Sequence, residues 1–183
     1  MGELMANTHT RVNYTLCLIA SHPVWDGRSE IIRELLRARP EEMRIRGDGS
    51  AVEHYMSAQS ISNLLTFMAD LDLIVIRSDG SVSIAQRAER AVQDSRAFDL
   101  LVQASVRNAL EKSGTQMTDV EKVIGAIRLP LVPDAKTIHA KLKVKHKSSV
   151  LINVDRFSRL LYLYACAGGI QRIVRVHYGS AEG

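Results

Sequence analysis

Ser57–Ile74 reads SAQSISNLLTFMADLDLI and runs straight into VIRSDGSVSI at 75–84. A capping serine opens the stretch, and Ile61, Leu64, Leu65, Met68 and Leu71 then recur at helical spacing. Beyond Leu73 the period changes to two, on both sides of Ser78-Asp79-Gly80. Asp-Gly between alternating apolar runs is a strong hairpin signal, because its central positions need a positive φ. The stretch therefore predicts a long amphipathic helix followed by a two-stranded ribbon.

Working back from it, Ser29–Arg39 (SEIIRELLRAR) predicts a shorter helix. Ser29 is its expected N-cap, Ile31, Ile32, Leu35 and Leu36 form the apolar stripe, and Pro40 stops it. Arg28, Arg33, Arg37 and Arg39 lie mainly off that stripe. Glu41–Ser50 holds a short alternating piece that ends at Gly-Asp-Gly. Val12–Ala20 (VNYTLCLIA) fits a strand or a short helix equally, and the polar first ten residues are expected to fray.

Working forward, Gln86–Asp94 reads as a charged helix and Ala97–Lys112 as an amphipathic one, with Gly114 as its terminator. Thr118-Asp-Val-Glu121 has the spacing of a capping box and opens a helix that ends before Pro130. Pro133-Asp134 begins another, through about Leu142, followed by a lysine-rich connection over Lys143–Ile152. Asn153 then caps VDRFSRLLYLYACA, Gly168-Gly169 ends it, and Ile170–Tyr178 alternates like a strand.

An ungapped shift of 96 residues lays Ser57–Ile74 over Asn153–Ile170. Ser62 falls on Ser158, Leu64-Leu65 on Leu160-Leu161, Ala69 on Ala165 and Ile74 on Ile170. Each copy keeps the order of capped helix, sharp stop and apolar strand. The expectation is a mostly α fold with small β-hairpins (α+β), built as two similar halves.

A short helix, a long helix and a β-hairpin in this order resemble the winged helix-turn-helix superfamily. The resemblance implies an N-terminal segment at 1–28 and tandem winged-helix domains at 29–96 and 97–183. It makes Ser57–Leu73 and Val154–Ala167 recognition helices, Ile74–Ile84 the first wing, and Ile170–Tyr178 the first strand of the second. Two departures stand out: the connection before the second long helix exceeds a tight turn, and only GSAEG remains for a returning strand.

Such a fold contacts DNA through polar side chains on the outer face of its recognition helix and cations that meet phosphates. In the first copy the candidates are Ser57, Gln59, Ser60, Asn63 and Thr66, with Arg77 on the wing; Asp70 and Asp72 would repel phosphate. In the second they are Arg156 and Arg159 on the helix, Arg172 and Arg175 beside the strand, and Lys141, Lys143, Lys145 and Lys147. If extended, those four alternate lysines would line one edge as a phosphate-tracking ribbon; otherwise they form a solvated charge run. Asp155 counts against base contact at the helix start.

Composition sets the limits. The chain has 183 residues, 24 Lys+Arg against 20 Asp+Glu, a net charge of +4 and 46% hydrophobic residues. Such a composition excludes disordered and collagen-like chains. Cys17 and Cys166 are too few for a disulfide framework and read as buried free thiols. No apolar run approaches the roughly 20 residues of a membrane span, and the first residues lack the apolar core of a secretory signal. A soluble cytoplasmic, nucleoid-associated protein is expected.

Catalytic signals are weak. Pro133-Asp134 invites comparison with PD-(D/E)xK nucleases, but the text downstream is HAKLKVK. Neither HExxH nor paired CxxC, P-loop or GxGxxG is present. The expectation is a non-enzymatic DNA-binding protein without metal or cofactor, a regulator or a defence or mobile-element accessory factor, forming a homodimer. The alternative is a protein-interaction subunit resembling the kleisin-interacting tandem winged-helix elements of chromosome-organising complexes.

Overall fold

The stretch that opens the reading forms one helix and one hairpin, and the rest of its half packs around them. In a computed structural model that describes residues 2–45, 54–127, 134–146 and 152–170, helix α3 spans Ala58–Asp70. Ser57 caps it, its Oγ accepting from the N–H of Ser60 at 3.2 Å. Ile61, Leu64, Leu65, Phe67 and Met68 are buried, each contributing about 1.5–3 kcal/mol by leaving water.

The end of α3 is a sharp reversal. Asp72 takes a left-handed conformation (φ 53°), its N–H donates to Ala69 O at 2.9 Å, and the N–H of Leu73 donates to Met68 O at 3.0 Å. This Schellman pair satisfies carbonyls that the helix leaves open. The Arg87 guanidinium adds hydrogen bonds to the carbonyls of Leu71 and Asp72, placing a cation at the negative end of the helix. The chain leaves as β3 (Ile74–Ile76) and returns as β4 (Val82–Ile84), in the register Ile74↔Ile84, Val75↔Ser83 and Ile76↔Val82. Gly80 supplies the positive φ (88°) that the turn requires.

On the other side of β4, Trp25 exchanges two backbone bonds with Val82, at 2.8 and 2.9 Å. Its indole N–H donates to Ile19 O at 3.0 Å and the ring is buried. Ile19 belongs to α1 (Gly2–Ala20), which buries Val12, Leu16 and Ile19. Residues 12–20 are thus helix, not strand, and the first ten residues form helical turns from Gly2 onward in place of frayed chain.

Helix α2 (Arg28–Ala38) packs on α3 and buries Ile31 and Leu35. Its N-cap is Gly27, not Ser29, which lies inside the first turn. Its C-cap, Arg39, is left-handed (φ 45°), as Pro40 disfavours right-handed helical geometry in the residue before it. Between α2 and α3 lies a small second sheet, β1 (Arg44–Ile45) with β2 (His54–Tyr55). Arg11 of α1 donates to the carbonyls of Glu42 and Arg44, at 2.9 and 2.8 Å, and so anchors this insertion. Gln86–Gln93 forms 3-10 turns where a charged helix was expected.

The chain divides into two compact units, Asn7–Leu101 and Val102–Gly183 with Met1–Ala6. The division falls inside α4 (Ser95–Lys112). In the second unit α4 buries Val102, Val106, Ala109 and Leu110, and Gly114 follows at φ 75°. Helix α5 (Met117–Ala126) starts one residue before the expected capping box; Gln116 is its N-cap, with no side-chain bond. The buried Met117 draws the helix start earlier, so Thr118 never reaches the cap.

Helix α6 (Ala135–His146) begins after Asp134, whose carboxylate accepts from Thr137 N–H at 2.7 Å, and buries Ala135, Ile138 and Leu142. It continues to His146, so Lys143–His146 is helix and the connection to α7 shortens to 147–153. Helix α7 spans Val154–Cys166; Asn153 caps it through Asp155 N–H at 2.8 Å, and it packs on α6.

The 96-residue offset holds residue by residue. Helix α7 has the length of α3, and its buried Phe157, Leu160, Leu161, Leu163 and Tyr164 fall on the buried positions of α3. Gly168, left-handed at φ 77°, takes the place of Asp72, with bonds from Gly168 N to Ala165 O (3.0 Å) and Gly169 N to Tyr164 O (2.9 Å). The described residues are mostly helical with two small antiparallel sheets, the α+β class expected. None of their helices is long and apolar enough to cross a membrane.

Candidate nucleic-acid interface

The burial pattern of α3 leaves Gln59, Asn63 and Thr66 exposed, with Ser60 beside them half-buried. Gln59 Nε2 donates to Asn63 Oδ1 at 3.0 Å, and the hydroxyls of Ser57 and Ser60 lie 3.0 Å apart. Thr66 donates to Ser62 O at 3.1 Å. The expected polar face therefore exists, and its amides are oriented by one another. Amide side chains of this kind pair with adenine edges, although here they first have to release each other.

The wing candidate Arg77 is exposed at the end of β3. Its guanidinium donates to Ser81 Oγ at 3.3 Å and Ser83 Oγ at 3.1 Å, which aligns it along the hairpin. Asp79 at the hairpin tip accepts from Ser81 N–H at 2.9 Å. The hydroxyl and N–H of Ser81 hold the Asp79 carboxyl below the usual carboxylate range, so this negative charge stays beside Arg77.

In the second unit Arg156 and Arg159 are both exposed on α7, one turn apart. By the 96-residue offset they occupy the positions of Ser60 and Asn63. Asp155, exposed in the first turn, falls at the position of Gln59 and is favoured there by the helix dipole. Tyr162 corresponds to Thr66 and is half-buried, whereas Phe157 and Tyr164 are core residues.

The lysine segment differs from the extended ribbon. Lys141 and Lys143 are exposed on α6, and Lys145 lies within its backbone range. At about 100° per residue a helix turns alternate positions to different sides, so Lys141 and Lys143 cannot share an edge. Lys147, Arg172, Arg175 and the strand expected over Ile170–Tyr178 lie outside the described residues, apart from Ile170 itself.

No family model, curated protein or solved structure matches this chain. The site must be read from its own chemistry.

One cation escaped the sequence reading. Arg28, at the start of α2, donates from Nη1 to Thr66 Oγ1 at 3.2 Å and so reaches the outer face of α3. Periodicity places Arg28 off the apolar stripe of its own helix; only the packing of α2 on α3 shows where it goes.

Other chemistry is sparse. Among the described residues no group of three or more His, Cys, Asp or Glu is placed to hold a metal ion. Burial raises the thiol pKa of both Cys17 and Cys166, the reverse of what a nucleophile needs. An open groove of about 870 Å³ runs past the C-terminal end of α1 and the β3–β4 hairpin, lined by Cys17, His22, Arg77, Ser83 and Glu89 among others.

Proposed function

We propose that this chain is a non-enzymatic protein that binds double-stranded DNA through two winged-helix units, as a regulator or as an accessory factor of defence or mobile elements. The observation that carries the reading is the equivalence of Ser60 and Asn63 on α3 with Arg156 and Arg159 on α7. A duplicated helix keeps its cap, its buried positions and its ending, and at the same two outward positions it presents hydrogen-bonding groups once and guanidinium groups once.

In this reading the α7 arginines supply phosphate neutralisation, which dominates affinity. The α3 row of Gln59, Ser60 and Asn63 supplies hydrogen bonds to base edges, and Arg77 tethers the wing to the backbone. The lysines of α6 add to the field at longer range.

The test is binding of the full chain to labelled duplex over a range of salt concentrations. The expected result is a linear fall of log affinity with log salt; a flat response would remove the electrostatic basis.

A second reading, a subunit that binds another protein through the same fold, is favoured by one observation. Helix α3 contains neither Lys nor Arg, and its polar side chains pair with one another. A chain that shifts no duplex at low salt but forms a defined complex with one protein would decide for it.

A further inference from the structure

Helix α3 has a polar outer row and no cation of its own, so an approach to phosphate along it needs charge from elsewhere. The Arg28–Thr66 bond brings one. The Thr66 hydroxyl gives its hydrogen to Ser62 O, which leaves the oxygen lone pairs facing the guanidinium. Thr66 lies three residues beyond Asn63 and seven beyond Gln59, on the same side of the helix. The guanidinium therefore stands at the end of the Gln59–Asn63–Thr66 row. A guanidinium carries five N–H donors in a planar fork suited to phosphate oxygens, and Thr66 occupies one of them. Asp70, exposed one turn beyond Thr66, opposes an anion there and limits the row at that end.

We infer that Arg28 is a DNA-backbone contact of the first unit, a phosphate anchor that Thr66 orients over α3. This rests on the DNA-binding reading and assigns to that interface a residue from a different helix.

The experiment compares wild type, Arg28→Gln, Arg28→Lys and Arg33→Gln as full chains, by fluorescence anisotropy with a labelled duplex across a salt series. Arg33 is an exposed residue on α2, and its replacement changes net charge by the same amount. Arg28→Gln is expected to weaken binding several-fold and to lower the magnitude of the salt slope by about one, the loss of one phosphate contact. Arg28→Lys restores the slope, Arg33→Gln keeps it, and all variants melt close to wild type. If wild type binds but Arg28→Gln matches Arg33→Gln in slope and affinity, the assignment of Arg28 is overturned and the DNA reading stands. If wild type binds no duplex at low salt, both fall.

Discussion

Gly169 lies so close to the ring of Tyr164 that a Cβ at this position would come within 2.5 Å of its Cε1 and Cζ. The ring is fully buried, and its hydroxyl accepts from Arg107 Nε at 2.9 Å. It cannot step aside without losing both packing and that bond. Gly169→Ala is expected to destabilise the second unit by about 1–3 kcal/mol through overpacking, read as a lower midpoint in denaturant. An unchanged midpoint would show that the Tyr164 ring moves aside at little cost.

The two long helices carry equivalent caps, Ser57 accepting from Ser60 N–H and Asn153 from Asp155 N–H. Ser57→Ala and Asn153→Ala should each cost about 1 kcal/mol. Hydrogen exchange offers the cleaner readout: each variant should lose protection chiefly in the first turn of its own helix. Loss spread evenly over the chain would speak against two separately capped copies.

Thr15 is fully buried on α1, and its Oγ1 has no hydrogen-bond partner among the described residues. Thr15→Val replaces the hydroxyl by a methyl of nearly the same shape and removes a desolvated polar group. A gain of about 1 kcal/mol is expected, seen as a raised melting temperature. A loss would reveal a partner for the hydroxyl.

Asp79 gives a pH signature of known sign. Its folded pKa is lowered first by the Ser81 hydroxyl and then by the Ser81 N–H, from an ordinary value of 3.8. A group depressed in this way stabilises the fold above its unfolded pKa, and the contribution is lost as pH falls through the lower folded value. Asp79→Asn should therefore lose that contribution at neutral pH, and the gap to wild type should close as pH falls below 3.8, where the wild-type carboxyl is itself neutralised. A titration of the Asp79 carboxyl by NMR that shows an ordinary midpoint would contradict it.

For the interface, replacing Arg156 and Arg159 together by Gln should lower the magnitude of the salt slope by about two and weaken binding to all duplexes alike. Replacing Gln59 and Asn63 by Ala should instead leave the slope intact and flatten preferences among sequences. If the two pairs behave identically, positioning and base contact are not divided between the copies in this way.

The long helices, their caps and their hydrophobic faces were legible because each is written within a few residues. Ser57 followed by Ile61, Leu64 and Leu65 is a local pattern, and so is Asp79-Gly80 between alternating strands. Reading failed where tertiary packing chose between near-equal local options. Val12–Ala20 became helix through burial of Val12, Leu16 and Ile19, and Met117 moved a helix start past Thr118. The β1–β2 pairing joins two strands of two residues each on either side of 46–53, too short to show an alternating pattern of their own. The lysine segment misled for a related reason. Alternation suggests an edge, but Ile138 and Leu142 bury a helical face that carries the chain on to His146.

From the residues alone came the α+β class, the repeated helix and its 96-residue offset, because periodicity, caps and turn chemistry act over short range. Only the folded chain set Trp25 beside Val82, fastened Arg11 to the inserted sheet and carried Arg28 across to Thr66. Those contacts join positions far apart in sequence, and their partners are chosen by which apolar faces meet when the helices pack.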